Sequence, residues 1–458
     1  MRDIHRGCRV HYCEGMSLRV GMVVEQMWQS VPGGSGRYIV ELASRLAAEG
    51  INPVGVAARH GGRAPSAEQV GLTIPVRTSF LPRRALYAAW DRLTWPSVDR
   101  MLGVGSPGGA RVVHATTWAI PPTSLPLVVT VHDVAFLREA SHFTAHGAAY
   151  FRRALATTRC CADAVVVPSR ATAEDCIEAG IEEDIITVIP HGLTHTPVTG
   201  EQVDAFRSRN GLTRPYILWV GTREPRKNLP TLLQAYRALA PTSELDLVLV
   251  GPAGWGQDPT EADLPSTRVH VLGRLDDTDL ACAYAGARVF TFPSIWEGFG
   301  LPVLEAMAHG TPVVTSADTC MAEITGDDAG LLVPATSASA LAVALEAAAG
   351  PEHQRLAAAG LRRARDFTWE ASAAAHALLY ESLLVGAVTM LAGALAGGCT
   401  TLMQQFAPAL LPMSSWLTVG LLLGAWWLYF RLNWVREKQT LPMRVWHIGL
   451  ADAKSSLH

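Results

Sequence analysis

The sequence lacks the features that mark a metal-binding or disulfide-rich protein. Its eight cysteines are scattered over 458 residues without metal-ligand spacing. Such usage indicates reduced thiols in a cytosolic protein. A strong excess of positive charge is also missing, because the formal net charge at pH 7 is −3. The charge balance therefore does not indicate a nucleic-acid partner, and none is expected.

The N-terminus lacks a secretory signal. Residues Met1 to Gly15 are polar and contain no apolar core segment. Met16 and Ser17 lead directly into an apolar stretch that has the pattern of a strand. We therefore predict that residues 1–16 form a disordered leader outside the fold, and an upstream choice of start site is the alternative explanation for them.

The C-terminal region lacks charge. Between Glu381 and Arg431 a run of 49 residues contains no Asp, Glu, Lys, Arg or His. This length suffices for two membrane spans of about 20 residues each, which we place at 382–402 and 413–430. One tilted span beside an amphipathic segment is the alternative, and a fused fragment would also explain the composition. The predicted segments are an apolar membrane-type helical tail at 385–432 and a basic cytoplasmic tail at 433–458.

Short apolar runs alternate with helical patterns from Leu18 onward. This alternation is typical of βα units with parallel sheets, so the predicted fold class is α/β. A chain of 458 residues exceeds what one core usually supports, and two domains are expected. We place these domains at 17–193 and 214–368, with a linker at 194–213. The predicted strands are 19–25, 52–58, 111–115, 127–132, 164–168 and 187–190 in the first domain, and 216–221, 245–251, 269–272, 288–292, 312–315 and 330–333 in the second.

The most informative stretch runs from Pro293 to Met307 and reads PSIWEGFGLPVLEAM. A predicted strand enters a glycine-containing turn, and the turn opens a helix whose first residue is predicted to be Pro302. Unpaired backbone N–H groups at such a helix start favour an anion, and glycine permits close approach of a ligand. A phosphate or a sugar hydroxyl would fit there. The residues predicted to bind it are Gly298, Phe299, Gly300 and Leu301.

Two glutamates accompany this turn. Glu305 lies among apolar residues, where a lone carboxylate is costly, and the vicinal hydroxyls of a ribose would satisfy it. Glu297 lies in the turn and can reach the opposite end of the same ligand. The string E-G-F-G-L-P-V-L-E from Glu297 to Glu305 resembles the E-x7-E signature of the retaining glycosyltransferases of family 4.

This resemblance covers about Leu18 to Leu384. It implies the GT-B architecture, in which two Rossmann-like domains with parallel sheets face a cleft that binds the donor. A helix at 369–384 would cross back onto the N-terminal domain. The implied reaction is transfer of a hexosyl unit from a nucleoside-diphosphate sugar with retained anomeric configuration, and Glu297 would be one of its catalytic residues.

Two segments of the N-terminal half match the family pattern. Gly34, in the glycine loop before a helix predicted at 39–48, would approach the donor phosphates. His132, within the string T-V-H-D, would be catalytic and contact the donor sugar near its reacting carbon.

A basic segment follows the first strand of the second domain. Lys227 is the best-placed cation to neutralise the leaving diphosphate, because fixed cations there stabilise the transition state more than the ground state. Many relatives have arginine directly after the glycine, where this chain has Thr222. The second donor-binding cation is therefore either Arg223 or Arg226.

The acceptor side carries weaker signals. Basic and aromatic residues are interleaved around Tyr87 and again around Tyr150, and they would either pack in the core or lie on an anionic membrane surface. In the latter case a lipid-linked sugar is the expected acceptor.

The expected function is transfer of a mannose- or rhamnose-type hexose to a glycan or polyprenyl-linked acceptor in bacterial cell-surface polysaccharide synthesis. GDP-mannose is the favoured donor, and a dTDP- or UDP-sugar is the second choice. No cofactor or metal is expected, because Lys227 and backbone amides would neutralise the phosphates. The expected location is the cytoplasmic face of the plasma membrane. The alternatives are a non-catalytic nucleotide-sugar-binding scaffold at the membrane and a soluble sugar-phosphate-acceptor glycosyltransferase.

Overall fold

The structure is a computed structural model. It describes residues 18–29, 31–62, 64–138, 144–254 and 267–406, together with 419–421, 423–424 and 427. Within the last long helix, the description leaves out the side chains of residues 386–393, 395, 398–400 and 402–406. The predicted leader at 1–16 and the predicted basic tail at 433–458 lie outside the described residues.

The N-terminal domain is built on a seven-stranded parallel sheet. Its strands are β1 Leu18–Val23, β2 Ile51–Arg59, β3 Val76–Pro82, β4 Val112–Ala115, β5 Leu127–Thr130, β6 Ala164–Val167 and β7 Ile186–Val188. The helices that accompany them are α1 Gly33–Arg45, α2 Arg83–Leu93, α3 Ala135–Arg138, α4 Ala145–Cys161 and α5 Arg170–Glu178. The strand order is β3-β2-β1-β4-β5-β6-β7, so the winding reverses between β1 and β4. A crevice at the carboxyl ends of these strands is the usual ligand site of such a sheet.

The C-terminal domain repeats this plan with a six-stranded parallel sheet. Its strands are β8 Tyr216–Val220, β9 Asp246–Val250, β10 Val269–Gly273, β11 Val289–Phe292, β12 Val313–Ser316 and β13 Leu331–Val333. Its helices are α6 Gly200–Arg209, α7 Leu229–Leu239, α8 Asp277–Gly286, α9 Leu301–Ala308, α10 Met321–Thr325, α11 Ala338–Ala349 and α12 His353–Ala364. The order β10-β9-β8-β11-β12-β13 places the reversal between β8 and β11. The prediction of two Rossmann-like domains with parallel sheets is confirmed.

One strand, β3, was missed by the sequence pattern. It is an edge strand that pairs only with β2 in the described sheet. Its sequence, VRTSFLP, buries a single residue, Ser79, while Phe80 is exposed. The apolar run that identified the other strands is therefore missing here, because an edge strand does not need two buried faces.

The last long helix, α13 Trp369–Phe406, joins the two domains. Trp369, Ala373, Ala377 and Tyr380 are fully buried, and their helical spacing forms one face that packs on the core of the N-terminal domain. The helix continues past Leu384, so it also contains the first predicted membrane span. Within the described residues, no helix is both long and apolar enough to cross a membrane, so the predicted membrane-type tail is not confirmed. Most of the second predicted span, 413–430, is not described.

Candidate active site

The loops after β8 and β11 meet because these two strands are neighbours in the sheet. Lys227 Nζ, from the first loop, donates to Glu297 Oε1, from the second, at 2.5 Å. Arg226 Nη1 lies 2.7 Å from the other oxygen, Glu297 Oε2, and Arg226 Nη2 lies 2.8 Å from Glu224 Oε1. The structure thus brings three predicted site residues into one ion-pair cluster.

This cluster is electrically balanced. Burial alone would raise the pKa of the Glu297 carboxyl, but Arg226 and Lys227 outweigh it and lower the pKa to about 2. Burial lowers the pKa of the Lys227 ammonium, and Glu297 opposes this effect. With Glu224 included, two cations face two carboxylates, so the cluster carries no net charge.

The predicted contact of Glu297 with the ligand stays a prediction, and the structure shows which protein groups its carboxylate contacts. Glu297 is only 7% exposed, and each of its oxygens already accepts from a cation. A buried carboxylate is tolerated only with such partners. In this structure Glu297 therefore holds Lys227 and Arg226 in place, and Lys227 is not a free cation.

The turn between β11 and α9 has the expected glycine geometry. Gly300 precedes the helix with a φ of 100°, a conformation that strongly favours glycine. The helix begins at Leu301, one residue before the predicted start at Pro302. Proline in the first turn costs no hydrogen bond, because the N–H it lacks would be unpaired there.

Phe299 holds the turn against its surroundings. Its ring packs edge-to-face on His191 at 5.1 Å and on Phe367 at 5.9 Å between centroids. The Cys320 thiol donates to the carbonyl oxygens of Glu297 and Phe299 at 3.0 and 3.2 Å. These contacts fix the backbone around the predicted ligand-binding residues.

Gly298 is the point where this turn touches the N-terminal domain. A Cβ atom added at Gly298 would lie 1.7 Å from the carbonyl oxygen of His132. The Ser169 and Thr172 hydroxyls donate to the carbonyl oxygen of Gly298 at 2.8 and 3.1 Å. Only glycine fits this contact between the two domains.

Further contacts hold the two domains together around the cleft. The guanidinium of Arg138 lies 3.7 Å from the ring centroid of Trp296. The Glu323 carboxylate accepts the backbone N–H groups of Arg170 and Ala171 at 2.9 and 2.8 Å. A side chain of the C-terminal domain therefore caps helix α5 of the N-terminal domain, and the two domains are in direct contact beside the cleft.

His132 projects from the end of β5, as the sequence predicted. Its Nε2 lies 3.0 Å from the carbonyl oxygen of Thr116, and burial lowers the pKa of its imidazole. A neutral ring that donates from Nε2 leaves Nδ1 as an acceptor. The ring of the buried Tyr38 packs edge-to-face with the His132 ring, with 5.1 Å between the two centroids.

Glu305 lies in helix α9, and among the described residues a tyrosine hydroxyl from α8 is the hydrogen-bond partner of its carboxylate. The Tyr284 hydroxyl donates to Glu305 Oε2 at 3.0 Å. Burial raises the pKa of the Glu305 carboxyl, while Arg37 and Tyr284 oppose the rise. The predicted ribose contact would use the remaining capacity of this carboxylate.

The glycine loop of the N-terminal domain faces the start of α9. Helix α1 begins at Gly33 and not near residue 39, so the glycines form its first turn. A Cβ atom added at Gly34 would lie 3.5 Å from Cδ1 of Leu301, an ordinary contact distance. The first turns of α1 and α9 therefore face each other across the cleft.

The sequence left the second donor-binding cation open between Arg223 and Arg226, and the structure shows the surroundings of each. Arg226 belongs to the ion-pair cluster. Arg223 lies nearby, and its backbone N–H donates to the carbonyl oxygen of Pro252 at 3.3 Å. A role of either arginine in donor binding stays a prediction.

A cavity of about 750 Å³ opens between the domains. His132 and Arg226 both line it. Its N-terminal-domain wall is rich in aromatic residues, with Tyr87 and Tyr150 stacked at 6.2 Å and the Tyr150 hydroxyl donating to the carbonyl oxygen of Trp118. The volume is in the range of ligand sites. The aromatic residues that the sequence left between core and membrane thus form a cleft wall.

The described residues do not contain a cluster of metal-binding side chains. No group of three or more His, Cys, Asp or Glu side chains there is arranged to hold an ion. That the reaction needs no metal stays a prediction.

Comparison with known families identifies the chain. Residues 32–197 match the model described as Glycosyltransferase Family 4, and residues 201–358 match Glycosyl transferases group 1. A D-inositol 3-phosphate glycosyltransferase of Xylanimonas cellulosilytica is 32% identical over 305 residues, covering 60% of this chain and 72% of that protein. The chain belongs to glycosyltransferase family 4.

Other similarities to this glycosyltransferase are more local. The O-antigen chain mannosyltransferase B of Escherichia coli is 40% identical over 163 residues, covering 34% of this chain and 42% of that protein. The chain spans about half the length of several curated relatives, from 42% to 53%. The structure of HepE from Anabaena with UDP and glucose superposes with a TM-score of 0.62, at 20% identity, covering 80% of this chain and all of that one. At that identity the match shows the GT-B fold.

Two residues of this glycosyltransferase were missed by sequence reasoning. Tyr284 is buried in α8. A tyrosine within an apolar helical segment usually has a hydrogen-bond partner for its hydroxyl, and this rule could have indicated a polar partner for Tyr284. Arg37 follows Gly34 by three positions on the same helix face, and its Nη2 lies 3.3 Å from Asp277 Oδ1 of the other domain.

We predict that Tyr284→Phe weakens nucleotide binding about 3- to 10-fold, the effect of one lost hydrogen bond. The pKa of Glu305 would rise further without this donor, so the carboxylate would be protonated at higher pH. The measurement is the dissociation constant of the nucleotide as a function of pH. The affinity of the variant should begin to fall at a higher pH than that of the wild type.

The matched control is Tyr236→Phe. The Tyr236 hydroxyl donates to the carbonyl oxygen of Leu245 at 3.0 Å, on the other side of the sheet core from α9. This variant should bind nucleotide normally. Identical pH profiles for Tyr284→Phe and the wild type would contradict the role given to Tyr284.

Proposed function

We propose that this glycosyltransferase moves a mannose- or rhamnose-type hexose from a nucleoside-diphosphate sugar to a glycan or polyprenyl-linked acceptor, with retained anomeric configuration. GDP-mannose is the first choice of donor. The observation that carries the proposal is the Glu305 carboxylate in α9, held by Tyr284 beside the cleft. A half-buried carboxylate that accepts from a tyrosine hydroxyl keeps acceptor capacity for a ribose diol.

Several relatives support the choice of sugar. Two of them are named O-antigen chain mannosyltransferase B and MMP alpha-(1->4)-mannosyltransferase, so both are mannosyltransferases by name. A nucleotide-sugar donor is supported by HepE, whose structure contains UDP and glucose. None of these names decides the base.

The acceptor half of the proposal rests on the cleft wall. A sugar ring packs well on aromatic residues, and Tyr87, Trp118 and Tyr150 line the cavity. His132 lines the same cavity, so donor sugar and acceptor would meet near its imidazole. We further propose that the work is done at the cytoplasmic face of the plasma membrane, as part of surface-polysaccharide assembly. The support for this location is the uncharged run of 49 residues in the sequence.

A sugar-phosphate acceptor is the second candidate. It is favoured by one observation, the relative named D-inositol 3-phosphate glycosyltransferase, which the chain matches over 72% of its length. Parallel transfer assays with a neutral glycoside and a sugar phosphate as acceptors separate the two candidates.

The donor half is tested by calorimetric titration of the full chain with GDP, UDP, dTDP and ADP. We expect one nucleotide to bind best and Glu305→Ala to weaken it about 10- to 100-fold, the range for hydrogen bonds to a charged group. Glu201→Ala, an exposed position in α6, is the control and should bind like the wild type. Unchanged affinity in Glu305→Ala would refute the ribose contact, and no binding of any nucleotide would refute the donor class.

A further inference from the structure

If the proposed donor is correct, the ion-pair cluster does not neutralise the negative charge of its diphosphate. A nucleoside diphosphate carries several negative charges that need positive partners in the cleft. Lys227 and Arg226 are balanced by Glu297 and Glu224, so this cluster offers orientation but no net positive charge. Arg223, in the same loop, is one candidate for the missing positive charge, and a cation from the N-terminal domain would be another.

Arg37 has the required position. It lies in the first half of α1, on the same face as Gly34, whose backbone faces Leu301 at the start of α9. Burial raises the pKa of the Glu305 carboxyl and of the Tyr284 hydroxyl in the C-terminal domain, and the positive charge of Arg37 opposes both rises. Its partner Asp277 is the first residue of α8, the helix that also carries Tyr284, the hydrogen-bond partner of Glu305.

The present partner of Arg37 is easily exchanged. Its Nη2 lies 3.3 Å from Asp277 Oδ1, and the Asp277 side chain is 77% exposed. Ion pairs with such an exposed member contribute little to stability, because water screens them. A phosphate is a stronger partner for a guanidinium, since it can accept two parallel hydrogen bonds.

We propose that Arg37 is a donor-binding residue that leaves Asp277 and pairs with the diphosphate of the nucleotide sugar. The inference rests on the proposed function. The exchange links the domains through the ligand, because Arg37 belongs to the N-terminal domain and the ribose site to the C-terminal domain. Donor binding and cleft closure are thereby coupled.

The test compares three ligands on the full chain: the nucleoside, its monophosphate and its diphosphate, for the base that binds best. Arg37→Gln should weaken the diphosphate about 10-fold or more and the nucleoside much less, because only the effect of Arg37 on the pKa of Glu305 acts there. Arg37→Lys should recover part of the loss, because it restores the charge without the planar fork. Asp277→Asn should bind the diphosphate as tightly as the wild type or tighter, because it frees Arg37.

The matched control is Arg209→Gln. Arg209 pairs with Asp279 at 2.7 Å, so it also joins helix α8 to another element through an ion pair. This variant loses the same charge and should bind all three ligands normally. Thermal unfolding of each variant checks that the fold is retained.

Three results would overturn the inference. One is an equal loss for nucleoside and diphosphate in Arg37→Gln, another is no loss at all, and the third is a loss in Asp277→Asn that matches the loss in Arg37→Gln. The last result would mean that the pair is a structural link between the domains. If the wild type binds nucleotide through Glu305 while Arg37→Gln behaves normally, only this inference fails. If the wild type binds no nucleotide, the proposed function fails first.

Discussion

Replacing Gly298 with alanine is expected to reduce kcat/KM for transfer by at least about 100-fold, the scale of loss for a small misplacement of reacting groups. The new Cβ would lie 1.7 Å from the carbonyl oxygen of His132, so the turn and the N-terminal domain cannot keep their contact. The turn also receives hydrogen bonds from Ser169 and Thr172, which would be lost on separation. The measurement is steady-state transfer, together with nucleotide binding and thermal unfolding.

Nucleotide affinity should survive better than turnover in Gly298→Ala, because Glu305 and Tyr284 lie within the C-terminal domain. The control is Gly200→Ala, since a Cβ at Gly200 meets no atom within 4 Å. That control should be fully active. Wild-type turnover in Gly298→Ala would show that the closed contact is not needed for the reaction.

The second large effect is expected from Glu297→Gln. This change leaves Lys227 without its buried counter-charge, and losing one partner of a buried pair typically costs about 3 to 5 kcal/mol in the free energy of unfolding. Activity should fall as well, because Lys227 and Arg226 lose the carboxylate that orients them. The measurements are denaturant unfolding and transfer kinetics.

A double variant separates the two consequences. Adding Lys227→Met to Glu297→Gln removes the uncompensated cation, so stability should recover most of the loss while activity stays low. The control is Glu352→Gln, whose exposed pair with Arg355 should contribute at most about 1 kcal/mol. A single variant as stable as the wild type would show that the buried cluster does not depend on its carboxylate.

Much of the architecture was predictable because parallel strands buried on both faces leave a continuous apolar run in the sequence. The strand β6, Ala164–Val167, is an example, since all four of its residues are buried. The approach of Lys227 to Glu297 follows from strand order, which alternating elements suggest but do not determine. The edge strand β3 and the early start of α1 were missed, because one has little apolar signal and the other begins at glycines.

The sequence predicted the candidate residues of the site but not the contacts between them. Motif spacing identified Glu297, Glu305 and Lys227, but it could not show which charges neutralise one another. The pairing of Lys227 with Glu297 depends on distances across two loops. The role proposed for Arg37 could not be predicted from the sequence, because its ion-pair partner Asp277 and the carboxyl whose pKa it affects, Glu305, belong to the other domain.

The most decisive experiment is proton NMR of the product formed by the full chain from GDP-α-mannose and a neutral alkyl α-mannoside. We predict release of GDP together with a new mannosyl linkage in the α configuration. A product with the β configuration would contradict the retaining assignment. If GDP binds through Glu305 but no sugar is transferred to this acceptor, to a sugar phosphate or to a polyprenyl-linked sugar, from any of the GDP-, UDP-, dTDP- and ADP-linked hexoses, the chain is a binding scaffold and not the enzyme proposed here.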